Sequence, residues 1–208
     1  MVKTQDLGDV YGARSPEEIG AIYDGWSESY DADNLRKGFR LPGLAAGYVA
    51  RHVPKEAGPV LDAGCGTGLV GEALWALGYR SIRGIDISEG MLNSAARLTM
   101  YEKLDLRDLS KPLPEEDGSV AATVCTGSFG PGHAPASALA ELARVTRPGG
   151  AVVFNLVEGA WEDRGFPEAM EALSRAGRWE EVERSAPVRA YLLAEPDLLV
   201  RLFVFRVL

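Results

Sequence analysis

The sequence has little of what marks an extracellular, membrane-bound or nucleic-acid-binding protein. Only two cysteines are present, Cys65 and Cys125, and they form no CxxC pair. We therefore expect a reduced, cytoplasmic protein, a disulfide between them being the less favoured alternative. No run approaches the roughly 18 apolar residues of a membrane span. The opening MVKTQDLGDVYG also lacks the apolar run of a signal peptide. We accordingly expect no association with a membrane.

Basic residues are also scarce relative to acidic ones. The 208 residues include 22 Lys and Arg against 30 Asp and Glu, which gives a formal net charge of −8. Such a surface repels phosphate backbones, and this disfavours nucleic acid as the main partner. With 46% hydrophobic residues, the chain suits one compact unit, and we expect a monomer or a homodimer.

The first 58 residues have a polar, helical pattern. Ser15 followed by Pro16 predicts a helix start, with the serine as N-cap and the proline in the first turn. A second helix is expected over 44–52, where Pro54 ends it. The first helix is expected to have one apolar face, formed by Ile19, Ile22, Tyr23 and Trp26.

Strands and helices alternate after residue 58, and this predicts the fold class. Predicted strands cover 59–63, 81–87, 100–106, 120–126 and 151–157, with helices over 69–77, 89–98 and 136–145. This alternation is typical of βαβ units and a parallel sheet. A helix over 167–176 precedes strands over 178–184 and 199–208, whose short connection favours an antiparallel pair. We predict a three-layer α/β fold of about seven strands, mostly parallel, with the C-terminal strand reversed.

The stretch VLDAGCGTGLVGEAL places four glycines between a strand and a helix. From Gly66 it gives G-x-G-x-x-G ending at Gly71, the dinucleotide fingerprint, and from Gly64 it gives G-x-G-x-G through Gly68 with Asp62 just ahead. A carboxylate buried inside a central parallel strand is costly. We therefore expect Asp62 at the tip of the strand, where it suits a cationic cofactor better than a pyrophosphate. In that case Gly71 is a helix residue that permits close packing.

At these residues the sequence resembles the class I S-adenosylmethionine (SAM) methyltransferases. VLDAGCGTG resembles the family's first motif, LPEEDGSVAATVCTGSF its fourth-strand motif, and ARVTRPGGAVVF the entry to its fifth strand. The resemblance covers about 23–157 and implies a Rossmann-like methyltransferase fold, whose last strand is also reversed. One departure is Ala121, where the family often has an acidic residue on the substrate side.

The resemblance also implies which residues bind the cofactor. Asp86 in GIDIS would bind the ribose hydroxyls. In EKLDLRDL, Asp105 would hold the adenine amino group and the backbone N–H of Leu106 would reach the ring, with Asp108 as the alternative to Asp105. The other expected contacts lie on or beside the glycine-rich turn and the strand ends: Asp62, Gly64, Cys65, Gly66, Gly68, Ile87, Met91 and Thr126.

The segment IYDGWSESYDADN resembles a helix found in a subgroup of small stand-alone methyltransferases, where it folds over the cofactor. We therefore expect 1–58 to form a lid on a SAM-binding domain of 59–208. Tyr23, Trp26 and Tyr30 have helical spacing, which predicts a shared face. The resemblance implies that this face lies over the SAM methionine moiety and shapes the substrate pocket. Aromatic faces beside a sulfonium are favourable through cation–π attraction.

The implied activity is methyl transfer from SAM to a small-molecule acceptor, which leaves S-adenosylhomocysteine. Because the donor is already activated, we expect no metal and no nucleophilic side chain. His133, after the fourth strand, is a candidate general base, although a loop or N-cap role is the simpler interpretation. Two alternatives stay open: a SAM-binding protein without catalysis, and a nicotinamide-dependent oxidoreductase.

Overall fold

Three helices open the part of the chain that the computed structural model describes, which is residues 12, 15–130 and 133–208. They are α1 (Pro16–Trp26), α2 (Tyr30–Lys37) and α3 (Leu41–His52). The predicted start of α1 is confirmed, since the Ser15 hydroxyl accepts the Glu18 N–H at 3.2 Å. The expectation that Tyr30 continues the same helix is wrong, because α1 ends at Trp26 and a turn separates it from α2.

The remaining elements follow the predicted alternation. They are β1 (Val60–Ala63), α4 (Leu69–Ala76), β2 (Ile82–Asp86), α5 (Glu89–Ala96), β3 (Lys103–Leu106), β4 (Val120–Cys125), α6 (Ala138–Val145), β5 (Thr146–Val157), a 3₁₀ turn (Glu162–Arg164), α7 (Phe166–Arg175), β6 (Trp179–Arg184), β7 (Val188–Arg189) and β8 (Leu199–Val207). Strand β5 begins earlier than expected, because the Arg-Pro-Gly-Gly segment is already part of it.

The strands of the described chain all belong to one sheet, and its topology confirms the predicted fold class. The order is β3-β2-β1-β4-β5-β8-β6, with the two-residue β7 paired to β8. Strands β1 to β5 pair in parallel, while β8 runs antiparallel to both β5 and β6. The reversed C-terminal strand is therefore confirmed, and the carboxyl ends of β1, β2 and β4 lie side by side, where ligands bind in such sheets.

Helices cover both faces of the sheet and give three layers. On one face, Val49 of α3 and Leu74 of α4 are fully buried against the central strands. On the other face, Leu139 of α6 and Phe166 pack in a second buried cluster. Helix α3, which lies inside the expected lid segment, is thus part of a helical layer. None of the described helices has the length and apolar character needed to cross a membrane.

Candidate functional site

The glycine-rich turn follows β1 and leads into α4. Gly64, Gly66 and Gly68 have φ values of +77°, +53° and +99°, a backbone region that side chains rarely occupy. A Cβ on Gly64 would also lie 2.0 Å from the Ser128 hydroxyl oxygen, on the loop after β4. The turn therefore requires glycine, and it leaves room for a ligand at the amino end of α4.

Asp62 lies in the interior and not at an exposed strand tip, which corrects our expectation. It is fully buried within β1, where it pairs with Gly84 of β2. One carboxylate oxygen accepts the Tyr101 hydroxyl at 2.7 Å, and the other has no partner among the described residues. Burial raises the pKa of Asp62 to about 7, and the hydrogen bond from Tyr101 only partly opposes this. The exposed-tip argument for choosing between the two glycine registers was therefore wrong.

Tyr101 is a structural residue of the site that the sequence did not reveal. Its ring lies beneath the turn, where a Cβ on Gly71 would come within 2.2 Å of the hydroxyl oxygen and one on Gly84 within 3.0 Å of the ring. Close packing at Gly71 is thus confirmed, and its partner is Tyr101. Burial, together with the nearby Asp62, raises the pKa of the Tyr101 hydroxyl, which keeps the hydroxyl protonated as a donor.

Asp86 ends β2 and holds the turn from the other side. Its two carboxylate oxygens accept the backbone N–H groups of Gly66 at 2.8 Å and of Ser88 at 2.9 Å. Burial raises the pKa of Asp86, and the backbone hydrogen bonds oppose that rise. The Ser88 hydroxyl caps α5 by accepting the Met91 N–H at 3.0 Å. The carboxylate is therefore fixed in place at the edge of the cleft described next.

A cleft of about 980 Å³ lies over the turn and the ends of β1, β2 and β4. Ten of the residues expected at the site line it: Tyr23, Tyr30, Gly64, Cys65, Gly66, Asp86, Ile87, Met91, Thr126 and His133. Five expected residues are not among its lining: Trp26, Asp62, Gly68, Asp105 and Leu106. Cys65 and Cys125 are free thiols, as expected.

The loop after β3 contributes the alternative acidic residue. Asp105 is paired with Lys103 at 2.7 Å, whereas Asp108 lines the cleft and accepts the Ser110 N–H at 2.8 Å. Burial alone would raise the pKa of Asp108, but the hydrogen bonds from Ser110 and Lys111 outweigh it and hold this pKa below its usual value. Asp108 therefore lines the cleft as an ionised carboxylate, whereas Asp105, the residue favoured from the sequence, does not.

Helix α1 is attached to the sheet domain by Asp24. One oxygen of its carboxylate accepts the Ser88 hydroxyl at 2.6 Å and the Gly90 N–H at 2.8 Å. Gly90 permits this contact, since a Cβ there would lie 3.0 Å from the Asp24 Cα. A second link joins the Thr67 hydroxyl of the turn to Asp31 at 2.5 Å. Asp24 and Asp31 are the two aspartates of the Y-D-x-W-x-x-x-Y-D pattern in IYDGWSESYDADN, and the resemblance assigned neither of them a role.

The three aromatic residues of the lid pack together but make different contacts with the rest of the protein. The ring of Trp26 is 4.9 Å from that of Tyr30, centroid to centroid, and its indole N–H donates to Asp33 at 3.0 Å behind the cleft. Tyr23 reaches across the cleft, where its hydroxyl oxygen lies 2.9 Å from His133 Nε2. Tyr23 and His133 therefore connect the lid to the loop after β4.

A second, smaller cavity adjoins the cleft at this Tyr23–His133 contact. Five residues line both spaces: Tyr23, Tyr30, Phe39, Gly127 and His133. The second cavity continues between the lid and the C-terminal strands and is lined there by Leu41, Phe129, Gly130, Asn155, Val157, Ala190, Tyr191, Leu198 and Val200. Within the described chain, no group of His, Cys, Asp and Glu side chains is arranged to hold a metal ion.

Comparison with known proteins gives a consistent result. Residues 60–150 match the family described as "Methyltransferase domain". Methyltransferase-like protein 27 of Homo sapiens is 36% identical over 76% of this chain and 67% of its own length. Malonyl-[acyl-carrier protein] O-methyltransferase of Yersinia pestis is 34% identical over 72% of this chain and 54% of its own length. The chain thus spans between half and two thirds of these relatives.

Among solved structures, the [4+2]-cyclase SpnF superposes with a TM-score of 0.72. The identity is 18%, and the match covers 93% of this chain and 96% of that one. At this identity the similarity shows the fold alone.

Proposed function

The chain belongs to the class I SAM-dependent methyltransferases, and we propose that it transfers the methyl group of SAM to a small-molecule acceptor. Family membership removes the dinucleotide-dependent alternative. The observation that carries the proposal is the pair of adjoining spaces, a cleft over the glycine-rich turn and a second cavity beyond Tyr23 and His133. Concave spaces with mostly apolar walls and a few polar groups suit small ligands.

The residues of the cleft fit SAM in shape and charge. The turn leaves room for a ligand at Gly66, whose Cβ position has nothing within 4 Å. Its N–H groups lie at a helix amino end, which favours the methionine carboxylate. Asp86 would accept the ribose hydroxyls, and Asp108 the adenine amino group. Met91 would contact the adenine ring, and Thr126 would lie near the methionine moiety.

Tyr23 and Tyr30 would close the cleft from above. Their rings lie where the lid meets both spaces, and aromatic faces attract a sulfonium. Closing the cleft also excludes water from the transfer step. Trp26 and Tyr101 would act indirectly, by supporting the lid and the turn.

Bound SAM supplies a methyl group that the sulfonium has already activated, so the protein has to align the acceptor and remove a proton where one is lost. The O-methyltransferase name of the Yersinia pestis relative favours an oxygen acceptor. In that case the acceptor oxygen would bond to the methyl carbon as the carbon–sulfur bond breaks. The electron pair of the carbon–sulfur bond would stay on sulfur, and the hydroxyl proton would pass to His133. Tyr23 would hold the imidazole in position through the 2.9 Å contact.

Calorimetry with S-adenosylhomocysteine and with NAD tests the cofactor, and release of S-adenosylhomocysteine from SAM in the presence of a metabolite panel tests turnover. We expect S-adenosylhomocysteine to bind and NAD to fail. Binding of NAD alone would contradict the proposal, and cofactor binding without turnover across a broad panel would favour a SAM-binding protein that acts through a partner.

We also propose that the protein is cytoplasmic and is a monomer or a homodimer. Size-exclusion chromatography with light scattering tests the oligomeric state.

A further inference from the structure

The second cavity has an apolar, aromatic wall with almost no charge. Five aromatic residues line it, Tyr23, Tyr30, Phe39, Phe129 and Tyr191. Among the described residues that line it, none carries a carboxylate, an ammonium or a guanidinium group. An ion that entered this space would lose its hydration without gaining a counter-charge, which is costly. The wall therefore favours a neutral molecule, and its rings favour a flat one.

Asn155 gives this wall one directed polar group. The residue lies near the end of β5 and is 3% exposed. Its side-chain oxygen accepts the Gly127 N–H at 2.9 Å, which fixes the orientation of the amide. The amide NH₂ group has no partner in the described chain, and the residue lines the second cavity. The amide nitrogen is not among the fully buried side-chain atoms that lack a partner, so it is accessible from the cavity and can donate to a ligand there.

The other polar groups of the wall are already engaged. The Tyr191 hydroxyl donates to Asn34 at 2.8 Å, so Tyr191 presents mainly its ring to the cavity. The Tyr23 hydroxyl lies against His133 Nε2. Asn155 is therefore the residue of this wall whose amide can donate to a ligand, and His133, held by Tyr23, is the candidate proton acceptor beside it.

From these contacts we infer that the acceptor is a neutral, planar, hydroxylated ring of the phenol class, an oxygen of which accepts a hydrogen bond from the Asn155 amide. Asn155 is thus a specificity-determining residue. The inference rests on the proposed function, since it takes the second cavity as the acceptor site of a methyltransferase. His133 would take the hydroxyl proton, as in the transfer step above.

Three probes of nearly equal size test the inference: 2-naphthol, 2-naphthoate and 2-naphthylmethylamine, which are neutral, anionic and cationic at pH 7.5. Each is titrated by calorimetry into protein saturated with S-adenosylhomocysteine. We expect 2-naphthol to bind at least tenfold more tightly than either charged probe. Tighter binding of a charged probe, equal binding of all three, or binding of none would overturn the inference.

Two variants then test Asn155 itself. Asn155→Leu removes the donor and should weaken 2-naphthol binding about fivefold or more, the value of one buried hydrogen bond. Asn155→Asp keeps an oxygen that accepts the Gly127 N–H but replaces the amide donor with a carboxylate. This variant should shift the binding preference from 2-naphthol toward the cationic 2-naphthylmethylamine. An unchanged preference in both variants would refute the role of Asn155. Val182→Thr, on the exposed surface of β6, is the matched control.

Binding of S-adenosylhomocysteine distinguishes a failure of the proposed function from a failure of the acceptor assignment. Each variant is first titrated with S-adenosylhomocysteine, whose affinity should stay within twofold of the unmodified protein because Asn155 is absent from the lining of the cofactor cleft. Failure of the unmodified protein to bind S-adenosylhomocysteine would defeat the proposed function. Normal binding of S-adenosylhomocysteine combined with the wrong probe preference would defeat only the acceptor assignment.

Discussion

The hydroxyl of Tyr101 donates a 2.7 Å hydrogen bond to the buried carboxylate of Asp62, beneath the glycine-rich turn. The two residues are 39 positions apart in sequence, and the bond joins β1 to the segment before β3. It compensates only part of the cost of burying a carboxylate, since the other oxygen of Asp62 has no partner in the described chain. The free energy of unfolding should therefore depend on the protonation state of Asp62.

Asp62→Asn should change how stability depends on pH. Burial raises the pKa of Asp62 from 3.8 to about 7. The folded state then binds a proton that the unfolded state has released, so this contribution to stability is fully present below pH 3.8 and is lost as the pH rises through 7. Asparagine does not titrate. We expect the variant to exceed the unmodified protein in unfolding free energy by about 1–3 kcal/mol at pH 8, and to lose that advantage near pH 4.

Urea unfolding at pH 4, 6 and 8 measures this effect, with the exposed Glu28→Gln as control. A difference between Asp62→Asn and the unmodified protein that stays constant over this range would show that Asp62 does not titrate as described.

Gly71→Ala should be destabilising, because the new Cβ would lie 2.2 Å from the Tyr101 hydroxyl oxygen. Such overpacking costs about 1–3 kcal/mol, measured by urea unfolding. Gly47→Ala is the matched control, since Gly47 also lies within a helix but has nothing within 4 Å of its Cβ position; it should be stabilising by about 0.4–1 kcal/mol. Equal effects of the two substitutions would contradict the packing described for Tyr101.

Asp86→Ala should weaken binding of S-adenosylhomocysteine more than tenfold, because it removes the expected charge-assisted contacts to the ribose. Asp108→Ala should weaken it less, and Asp105→Ala by under twofold, since Asp105 is paired with Lys103 outside the cleft lining. Calorimetry with S-adenosylhomocysteine ranks the three variants. A larger effect at Asp105 than at Asp108 would return the adenine contact to the residue first favoured.

Asp24→Ala should loosen the lid while leaving the sheet domain folded. The substitution removes two hydrogen bonds to the amino end of α5, a loss similar to that of a helix cap, of about 1 kcal/mol. We expect a several-fold weaker affinity for S-adenosylhomocysteine and faster proteolysis within α1. Glu28→Ala, an exposed neighbour of the same charge, is the control. Unchanged affinity and unchanged cleavage would mean that Asp24 does not hold the lid.

His133→Gln should lower kcat by about 100-fold or more if His133 takes the acceptor proton, since general-base catalysis contributes about 10²–10⁴. Affinity for S-adenosylhomocysteine should change little. The chain has one other histidine, His52, which lies 2.6 Å from Glu183 away from both cavities, and His52→Gln is the control. Retention of full activity in His133→Gln over the whole pH profile would leave His133 with a structural role only.

Local sequence patterns predicted most of the fold. The alternation of apolar runs and helical faces reports which segments are buried strands and which are covering helices, because that periodicity is a property of neighbouring residues alone. The reversed last strand followed from the short connection before it, and Ser15 marked the start of α1. The turn between Trp26 and Tyr30 was missed, since residues at helical spacing fit one helix or two.

Side-chain positions at the site were harder to predict, because they depend on distant residues. Asp62 was expected at an exposed tip, and only the approach of Tyr101 makes its burial tolerable. Asp105 and Asp108 are equivalent in the sequence, and the course of the loop after β3 directs only the second toward the cleft. Asn155 carried no sequence signal, since an asparagine near a strand end is common.

The sequence by itself therefore determined the order of the main strands and helices from β1 onward, the place of the glycine-rich turn and the family with its cofactor. These follow from local periodicity and from contiguous motifs. The tertiary structure decided which carboxylates reach the cleft, how Asp24 holds the lid, and what lines the second cavity. Those features come from segments as far apart as Tyr23 and Val200. Their contacts depend on packing across the sheet, which no local pattern records.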